Sequence, residues 1–242
     1  MRFLTYNIQA AIGVKKYWEY GINAHKQILN TKAKTLTLIR IARLIKNYDI
    51  VCLQEVDLGG LRSGFNSQAK QLQEYSKHPY MLSQINRRVG KLSLHGNIIL
   101  SRYPLHLIDD IDLPSRLPGR GLLIARAEIK NVECTILNTH LSLSTNAQAN
   151  QFKLIGEKLK NYTNVIVSGD FNCQPNAPHF QEFLKEFHLR SITNESSLSY
   201  PSWKPQKALD HIVVSPSVST WDYEILPQRY SDHLAVTTEF KV

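Results

Sequence analysis

The stretch Val165–Asn172, VIVSGDFN, joins an apolar run directly to a glycine, a carboxylate and an amide. Three β-branched residues followed by this polar group are typical of a buried strand that ends at a functional turn. The i, i+2 spacing directs the short side chains of Asp170 and Asn172 toward one place. An Asx-type turn that caps the strand would explain the same residues, so this stretch alone leaves both interpretations open.

The same arrangement recurs along the chain. Apolar runs meet metal-binding or acid/base residues at Asn7, Gln54-Glu55, Asn138-Thr139-His140, Asp210-His211 and Ser231-Asp232-His233. Strands of one sheet bring their ends together along an edge, so groups at those ends converge on a shared crevice although they are distant in sequence. An ordinary core needs the apolar runs, but it does not need carboxylates, amides and imidazoles at so many of their ends.

Helical stretches alternate with these strand-type runs. The spacing of apolar residues predicts helices from about residue 31 to 46, over Ser67–Ser76, over Asn146–Lys160 and over His179–Glu186. Strands near Leu122–Ile129 and Val132–Leu137 flank Lys130-Asn131, which indicates a hairpin turn. Paired strands in the middle and helices between the others predict an α/β sandwich of two mixed sheets, with helices outside.

Composition sets the broad class. A chain of 242 residues without repeats or linkers predicts one domain over residues 1–242. The net charge of +9 favours anionic partners. No apolar window approaches the roughly 18 residues of a membrane span, and the chain start turns polar too early for a signal peptide, so we predict a cytoplasmic protein.

Cys52 and Cys134 lie in apolar runs and are predicted to be buried thiols. Cys173 lies beside Asp170 and Asn172 and is a weaker candidate for a reactive thiol.

Carboxylate and amide groups at strand ends indicate a site for a hard cation. Glu55 is a suitable ligand for Mg²⁺ or Mn²⁺, Asp232 is the natural second ligand, and Asn7 can add an amide oxygen. Mg²⁺ takes few protein carboxylates and keeps waters and phosphate oxygens. Taken alone, Glu55 would be an ordinary solvated loop acid, so the prediction depends on the whole set.

Acid/base groups accompany the candidate ligands. Asp210 can fix the tautomer of His233, and such a pair acts either as a general base or as a cationic contact to phosphate. His140 is a further strand-end imidazole, whereas His211, beside Asp210, is expected to point to the opposite face. Arg120, in Pro118-Gly119-Arg120-Gly121, can hold phosphate, although a surface arginine would fit that turn equally well.

These motifs together resemble the endonuclease/exonuclease/phosphatase superfamily. The matching motifs occur in that family's order: Tyr6-Asn7, Gln54-Glu55, Gly96-Asn97-Ile98-Ile99-Leu100-Ser101, Asn138-Thr139-His140-Leu141, Gly169-Asp170-Phe171-Asn172, Leu209-Asp210-His211-Ile212 and Ser231-Asp232-His233. The resemblance implies a four-layer α/β sandwich and Mg²⁺-dependent phosphoester hydrolysis.

The resemblance also implies a role for each site residue. Glu55 would be the principal metal ligand, with Asn7 and Asp232. Asp170 and Asn172 would orient water and contact the phosphate or a second metal. Asp210 and His233 would form a carboxylate–imidazole dyad. His140 would contact the phosphate or the leaving group. Arg120 would bind the phosphate, but its counterpart varies more within the family.

The substrate is left open by departures from the better-known branches. The Asn-Gly-Ile-Arg motif of abasic-site endonucleases and the Trp-Cys-Asp-Arg motif of inositol polyphosphate 5-phosphatases are absent. We predict a monomeric phosphodiesterase or nuclease, with phosphomonoesters or phospholipid headgroups as alternative substrates. A non-catalytic anion-binding module is the alternative of another class. The segments Gln9–Asn30 and Leu58–Phe65 follow site residues and are candidate substrate-binding rims.

Overall fold

The computed structural model describes residues 1–13, 32–61, 65–90 and 92–241. The strands are β1 Arg2–Asn7, β2 Ile50–Gly59, β3 Tyr80–Val89, β4 Ser93–Ser101, β5 Leu105–Asp112, β6 Gly121–Ile129, β7 Val132–His140, β8 Val165–Asp170, β9 Arg190–Ser191, β10 Asp210–Val214, β11 Ser219–Ile225 and β12 Val236–Lys241. The helices are α1 Lys32–Ile45, α2 Gln68–Ser76, α3 Thr145–Leu159 and α4 Pro178–Glu186.

The described strands form two sheets of six. The first sheet has the order β11-β12-β1-β2-β4-β3, and the second has the order β5-β6-β7-β8-β10-β9. The pair β1–β2 is parallel, as is β7–β8, while the neighbouring pairs β2–β4 and β8–β10 are antiparallel. Both sheets are therefore mixed.

Three apolar clusters divide the molecule into four layers. Helices α1 and α2 cover the outer face of the first sheet, where Ile41 and Leu72 pack with Leu4 and Leu53. Helices α3 and α4 cover the second sheet. Side chains from both sheets meet between them in the third cluster. The predicted four-layer sandwich of two mixed sheets with outer helices is confirmed.

The inward-facing side chains change from apolar to polar along each central strand. Because side chains alternate across a strand, β1 turns Phe3, Thr5 and Asn7 to one face and Leu4 and Tyr6 to the other. The same inward progression occurs in Ile50, Cys52, Gln54 of β2, in Ile136, Asn138, His140 of β7, in Ile166, Ser168, Asp170 of β8, and in Val214, Ile212, Asp210 of β10. One end of the space between the sheets is an apolar core, and the other end carries the functional groups.

Buried amides connect the two sheets between these ends. Asn138 of the second sheet donates to the carbonyls of Leu53 and Ile98 in the first, at 3.0 and 2.8 Å. Gln54 donates in return to Asn138 Oδ1 at 2.7 Å. A buried polar group without a partner costs about 1–3 kcal/mol, so these reciprocal bonds fix the register of one sheet on the other beneath the site.

Element boundaries differ from the sequence prediction in particular places. Strand β2 does not stop before Gln54 but continues to Gly59 through a bulge between Leu53 and Val56. Strand β12 begins at Val236, later than the motif that contains His233 suggested. The hairpin turn at Lys130-Asn131 is confirmed, with φ of 49° and 66°.

The cysteines are buried thiols. Cys52, Cys134 and Cys173 are free and buried. Burial raises the pKa of the Cys52 and Cys173 thiols to about 12. A thiol with a raised pKa is a poor nucleophile, so Cys173 is not the reactive group that its position allowed.

Candidate active site

The predicted site residues meet where the polar ends of both sheets face each other. In the second sheet, the register places His140 and Asp210 directly opposite Asp170, one on each neighbouring strand. From the first sheet, the Asn7 Nδ2 donates to Asp170 Oδ2 at 3.0 Å and to Glu55 Oε1 at 3.3 Å. The structure therefore brings together side chains that are up to 226 residues apart in the chain, from Asn7 to His233.

Asp170 lies at the centre of this arrangement. The preceding Gly169 has φ of 143°, and a Cβ there would lie 1.9 Å from the carbonyl oxygen of Thr139, so a residue other than glycine does not fit. Asp170 Oδ1 accepts from the main-chain N–H of Asn172 at 3.0 Å. Burial raises the pKa of the Asp170 carboxyl, and the charges of Asp210 and Glu55 add to this, although His233 opposes it. The carboxyl is suited to accepting a proton near neutral pH.

Glu55 reaches the site because β2 is bulged. The residue has φ of 54°, an uncommon conformation for a side chain other than glycine, at the point where the register with β4 shifts. The Glu55 side chain keeps 35% of its surface exposed. Partial burial of the carboxylate raises its pKa, and the charge of Asp232 raises it further, while the hydrogen bond from Asn7 opposes both. The bulge thus aims a strained acidic residue at the mouth of the site.

His233 and Asp210 form the predicted dyad. The Nδ1 of His233 lies 2.8 Å from Asp210 Oδ2, which also accepts from Ser199 Oγ at 2.5 Å. Burial alone would lower the pKa of His233, but the charges of Asp210 and Asp170 outweigh it and raise the pKa well above the ordinary value. The imidazole is therefore a cation at neutral pH.

His140 has the opposite electrostatic environment. Its Nε2 lies 3.6 Å from Asp170 Oδ2 and 2.5 Å from Arg120 Nη1. Burial, Arg120 and His233 lower the pKa of His140 well below the ordinary value. The sequence left Arg120 undecided between a surface role and a site role. The structure shows that Arg120 is half-buried. Its guanidinium donates to the neutral imidazole of His140.

The predicted roles of Asn7 toward the metal and of Asn172 toward the phosphate stay predictions, and the structure shows which hydrogen bonds the two amides make. Asn7 Oδ1 accepts from the main-chain N–H of Gln9 at 3.1 Å, so the amide hydrogens rather than the oxygen face the carboxylates. Asn172 Nδ2 donates to the Leu141 carbonyl at 2.9 Å. In this geometry both amides order the acidic groups and the strand ends.

Glu55 and Asp232 are the residues whose chemistry fits a divalent cation. Carboxylate oxygens are hard ligands for a divalent cation. The charge of Asp232 is one cause of the raised pKa of Glu55, so a cation bound to both residues would stabilise their carboxylates. Within the described part of the chain, Asp170, Asp210 and His233 also place potential ligand atoms within 4.8 Å of one another. In this second group, His233 Nδ1 already lies 2.8 Å from Asp210 Oδ2.

His211 is not part of the site, as its position on β10 predicted. Its Nδ1 is 2.8 Å from Thr193 Oγ1 and its Nε2 is 2.9 Å from the carbonyl of Cys173. The ring packs against Phe171 and Phe180 on the outer face of the second sheet.

The structure adds supporting residues that sequence reasoning did not identify. Ser199 donates to Asp210, and the Tyr200 ring lies 4.8 Å from the His233 ring. Gln54 and Asn138 support the strand ends from below. Gln54 directly precedes Glu55, and Asn138 lies two residues before His140, so a polar residue just before a site residue was the available signal. Ser199 and Tyr200 have no such local signal.

Parts of the two predicted rims lie outside the described residues. These parts are residues 14–31 of the segment Gln9–Asn30 and residues 62–64 of the segment Leu58–Phe65. Of the described rim residues, Leu61 and Phe65 are exposed. None of the helices in the described ranges is long and apolar enough to span a membrane.

Comparison with known proteins gives a family and a fold. The model of the endonuclease/exonuclease/phosphatase family matches residues 4–233. No curated protein sequence matches the chain significantly.

Several solved structures share the fold. A protein of this family from Beutenbergia cavernae DSM 12333 has a TM-score of 0.76 and 19% identity, over 100% of this chain and 71% of that one. The mannosyl-6-phosphatase of Bacteroides thetaiotaomicron VPI-5482 has a TM-score of 0.76 and 17% identity, over 100% of both chains. The human Nocturnin catalytic domain, with bound sulfate, has a TM-score of 0.70 and 19% identity, over 100% of this chain and 93% of that one.

Proposed function

Because this chain belongs to the endonuclease/exonuclease/phosphatase family, whose members hydrolyse phosphoester bonds, we propose that it is a Mg²⁺- or Mn²⁺-dependent phosphodiesterase. The observation that carries the proposal is the position of Asp170. Its Oδ2 lies 3.6 Å from the Nε2 of both His233 and His140, one imidazole charged and the other neutral. A buried acid between an imidazolium and an imidazole can accept a proton while fixed positive charge faces a bound phosphate.

The proposed reaction is attack of water on phosphorus. Asp170 orients the water and takes its proton as the bond from oxygen to phosphorus forms. The bond from phosphorus to the ester oxygen breaks, and the leaving oxygen takes a proton from solvent. His233, held as a cation by Asp210, and Arg120 offset the negative charge that grows on the phosphoryl oxygens.

His140 has a different part in this proposal. Because its pKa is lowered, the ring is neutral and serves as a hydrogen-bonding contact that positions Arg120 and the phosphate. The sequence allowed it to protonate the leaving group, but a neutral imidazole beside an arginine is a weak proton donor.

Glu55 and Asp232 are the residues that we propose to hold the cation. A divalent cation supplies Lewis-acid polarisation of the phosphoryl oxygen when it is bound. Asn7 orders Glu55 and Asp170 through its amide hydrogens, so we assign it as a positioning residue rather than a ligand. Asn172 keeps Asp170 and the end of β8 in place.

The substrate class rests on charge and on the family. A net charge of +9 favours polyanions such as nucleic acids, with small phosphodiesters equally compatible and phospholipid headgroups after them. One structural neighbour is a mannosyl-6-phosphatase, which keeps phosphomonoesters as the alternative substrate. A non-catalytic anion-binding module is less compatible with a complete set of acid/base groups around Asp170.

The test is hydrolysis of bis-p-nitrophenyl phosphate and p-nitrophenyl phosphate, with EDTA and with added Mg²⁺ or Mn²⁺. We expect metal-dependent cleavage of the diester, and we expect Glu55→Gln to raise the metal concentration needed for half-maximal rate. Glu74→Gln removes the same charge from the exposed surface of α2 and serves as the matched control.

Each result separates the alternatives. Cleavage of the monoester alone would replace the diesterase by a phosphatase. Metal-dependent anion binding with no turnover of either ester would favour the binding module. Diester turnover that persists in EDTA would contradict the metal requirement.

The remaining sequence predictions concern the whole molecule. We propose that residues 1–242 form one domain, that the protein is a monomer and that it is cytoplasmic. Sedimentation at several concentrations and fractionation of the expressing cell would test the last two.

A further inference from the structure

A groove with a mixed polar and apolar lining lies beside the site at Arg120. It lies between the loop of residues 113–120, which precedes β6, and the loop of residues 141–144, which precedes α3, and it has a volume of about 650 Å³. Arg120 lines the groove at one end and contacts His140 of the site. The groove therefore shares Arg120 with the proposed position of the scissile phosphate, and its volume suits part of a small ligand.

The walls of the groove are fixed by buried glutamines of α3. Gln151 donates to the Pro114 carbonyl at 2.9 Å and accepts from the Ser142 main-chain N–H at 3.0 Å, so one side chain holds both loops. Gln148 donates to the Ser142 carbonyl at 2.6 Å and to the Asn172 carbonyl at 3.0 Å. The second contact ties the groove to the end of β8. These hydrogen bonds hold the two loops of the groove in a fixed position relative to the end of β8, which carries Asp170.

The chemistry of the groove selects for anions. Arg116 and Arg120 are both among its lining residues, and none of the described residues that line it is acidic. Hydroxyl and amide side chains, including Ser142, Asn146 and Asn150, provide further hydrogen-bonding groups. Guanidinium groups bind phosphate oxygens with geometric specificity. Two guanidinium groups without an acidic neighbour in the lining favour an anionic ligand over a neutral one.

We propose that the groove binds a second phosphate of the substrate, with Arg116 as its principal contact. The proposal rests on the proposed function, because Arg120 then holds the scissile phosphate at the groove's inner end. The substrate is accordingly a phosphoester that carries a further phosphate on a short polar linker. An oligonucleotide and a small bisphosphate share this chemistry. Exposed Leu117 and Leu143 at the mouth of the groove are available to contact the ring of the linking sugar or base.

A binding measurement tests the groove without turnover. Propane bisphosphonate carries two phosphonates on one short chain, and propyl phosphonate carries one; neither is hydrolysed. With Mg²⁺ present, we expect calorimetry to show about tenfold tighter binding of the bisphosphonate, and we expect Arg116→Gln to abolish that preference. Arg116→Lys should retain part of it. Equal affinity of the wild-type protein for the two compounds would overturn the proposal.

A kinetic measurement identifies the source of the second phosphate. The substrates are bis-p-nitrophenyl phosphate, dithymidylate with an additional terminal phosphate, and a hexose bisphosphate. Arg116→Gln should lower kcat/KM for a two-phosphate substrate about tenfold more than for bis-p-nitrophenyl phosphate, mainly through KM. Turnover of the nucleotide, a diester, would identify an oligonucleotide as the source. Turnover of the hexose bisphosphate, a monoester, would identify a small bisphosphate and favour the alternative phosphomonoesterase.

A matched control separates this effect from a change in overall charge. Arg40→Gln removes one positive charge from the exposed surface of α1, which packs on the other sheet. An equal loss on all substrates in Arg116→Gln, or the same selective loss in Arg40→Gln, would count against the groove. Tighter binding of the bisphosphonate without turnover of any ester would support the second phosphate site in the groove and contradict the proposed hydrolysis.

Discussion

The two sides of Asp170 carry the same side chain in opposite states. His233 and His140 each place Nε2 3.6 Å from Asp170 Oδ2. Behind His233 is the carboxylate of Asp210, and behind His140 is the guanidinium of Arg120. The pKa of His233 is raised and the pKa of His140 is lowered. The residue behind the imidazole, and not its distance from the central acid, therefore decides which histidine is a cation.

The largest expected effect is at the charged histidine. His233→Gln removes the imidazolium that offsets charge on the phosphoryl group, and we expect kcat/KM for bis-p-nitrophenyl phosphate to fall about 10³-fold, within the range of acid/base and charge stabilisation. Circular dichroism should show an unchanged fold. The control is His106→Gln, an exposed histidine on β5. A loss no greater than that of His140→Gln would contradict the comparison.

Removal of the charge behind His233 should have the next largest effect. Asp210→Asn keeps an oxygen that can accept from His233 Nδ1 and from Ser199, but it no longer holds the ring as a cation. We expect kcat/KM to fall about 10²-fold, because a charge-assisted bond is replaced by a neutral one. Ser199→Ala tests whether the orientation of Asp210 matters by itself, and a smaller loss is expected there. Normal kcat/KM in Asp210→Asn would show that the charge of Asp210 is dispensable.

The neutral histidine should matter least of the three. His140→Gln retains a group that can accept from Arg120, so the hydrogen bond from the guanidinium is weakened rather than lost, and the expected loss in kcat/KM is about tenfold. Arg120→Gln should lower kcat/KM more than His140→Gln does, because it removes the positive charge that contacts the phosphate. The reverse order would mean that His140 takes part in proton transfer after all.

Strand ends and the order of the motifs predicted the candidate site residues, and strand periodicity predicted the face of the sheet on which several of them lie. In β1, β7, β8 and β10 the candidate residue lies in the inward-facing row, as Asp170 does after Ile166 and Ser168 in β8. The alternation also placed His211 on the opposite face from Asp210, where the structure has it. A local pattern therefore determines which face a residue occupies and which end of the sheet it approaches.

Sequence reasoning did not find the states of the site residues. The pKa of His140 depends on Arg120, which is on the neighbouring strand-end loop, and the pKa of His233 depends on Asp210, 23 residues away. The bulge that aims Glu55 at the site breaks the regular alternation, so periodicity placed the end of β2 too early. These features arise from contacts between strands, which no window along one strand contains.

A third histidine offers the smallest effect and a test of the electrostatic argument away from the phosphate site. Burial lowers the pKa of His211, whose ring contacts Thr193 and the carbonyl of Cys173 in the neutral form. The unfolded chain then binds more protons than the folded chain as pH falls through the ordinary histidine pKa of about 6.5, so stability is present above that pH and decreases below it. The contribution to the slope of the unfolding free energy is at most about 1.4 kcal/mol per pH unit.

Urea unfolding between about pH 5.5 and 7.5 measures this slope. His211→Gln keeps a donor toward the Cys173 carbonyl and an acceptor toward Thr193 but cannot titrate, so we expect a shallower decrease in stability on the acid side. His78 is a second buried histidine with a pKa lowered by burial, and it hydrogen-bonds Ser76 and the Tyr48 carbonyl. Part of the slope should therefore survive in His211→Gln and become smaller again when His78→Gln is added, while His140, whose pKa is also lowered by burial, still contributes. An identical slope in all three proteins would show that burial of a neutral imidazole does not control acid stability in this fold, and it would weaken the same argument for His140.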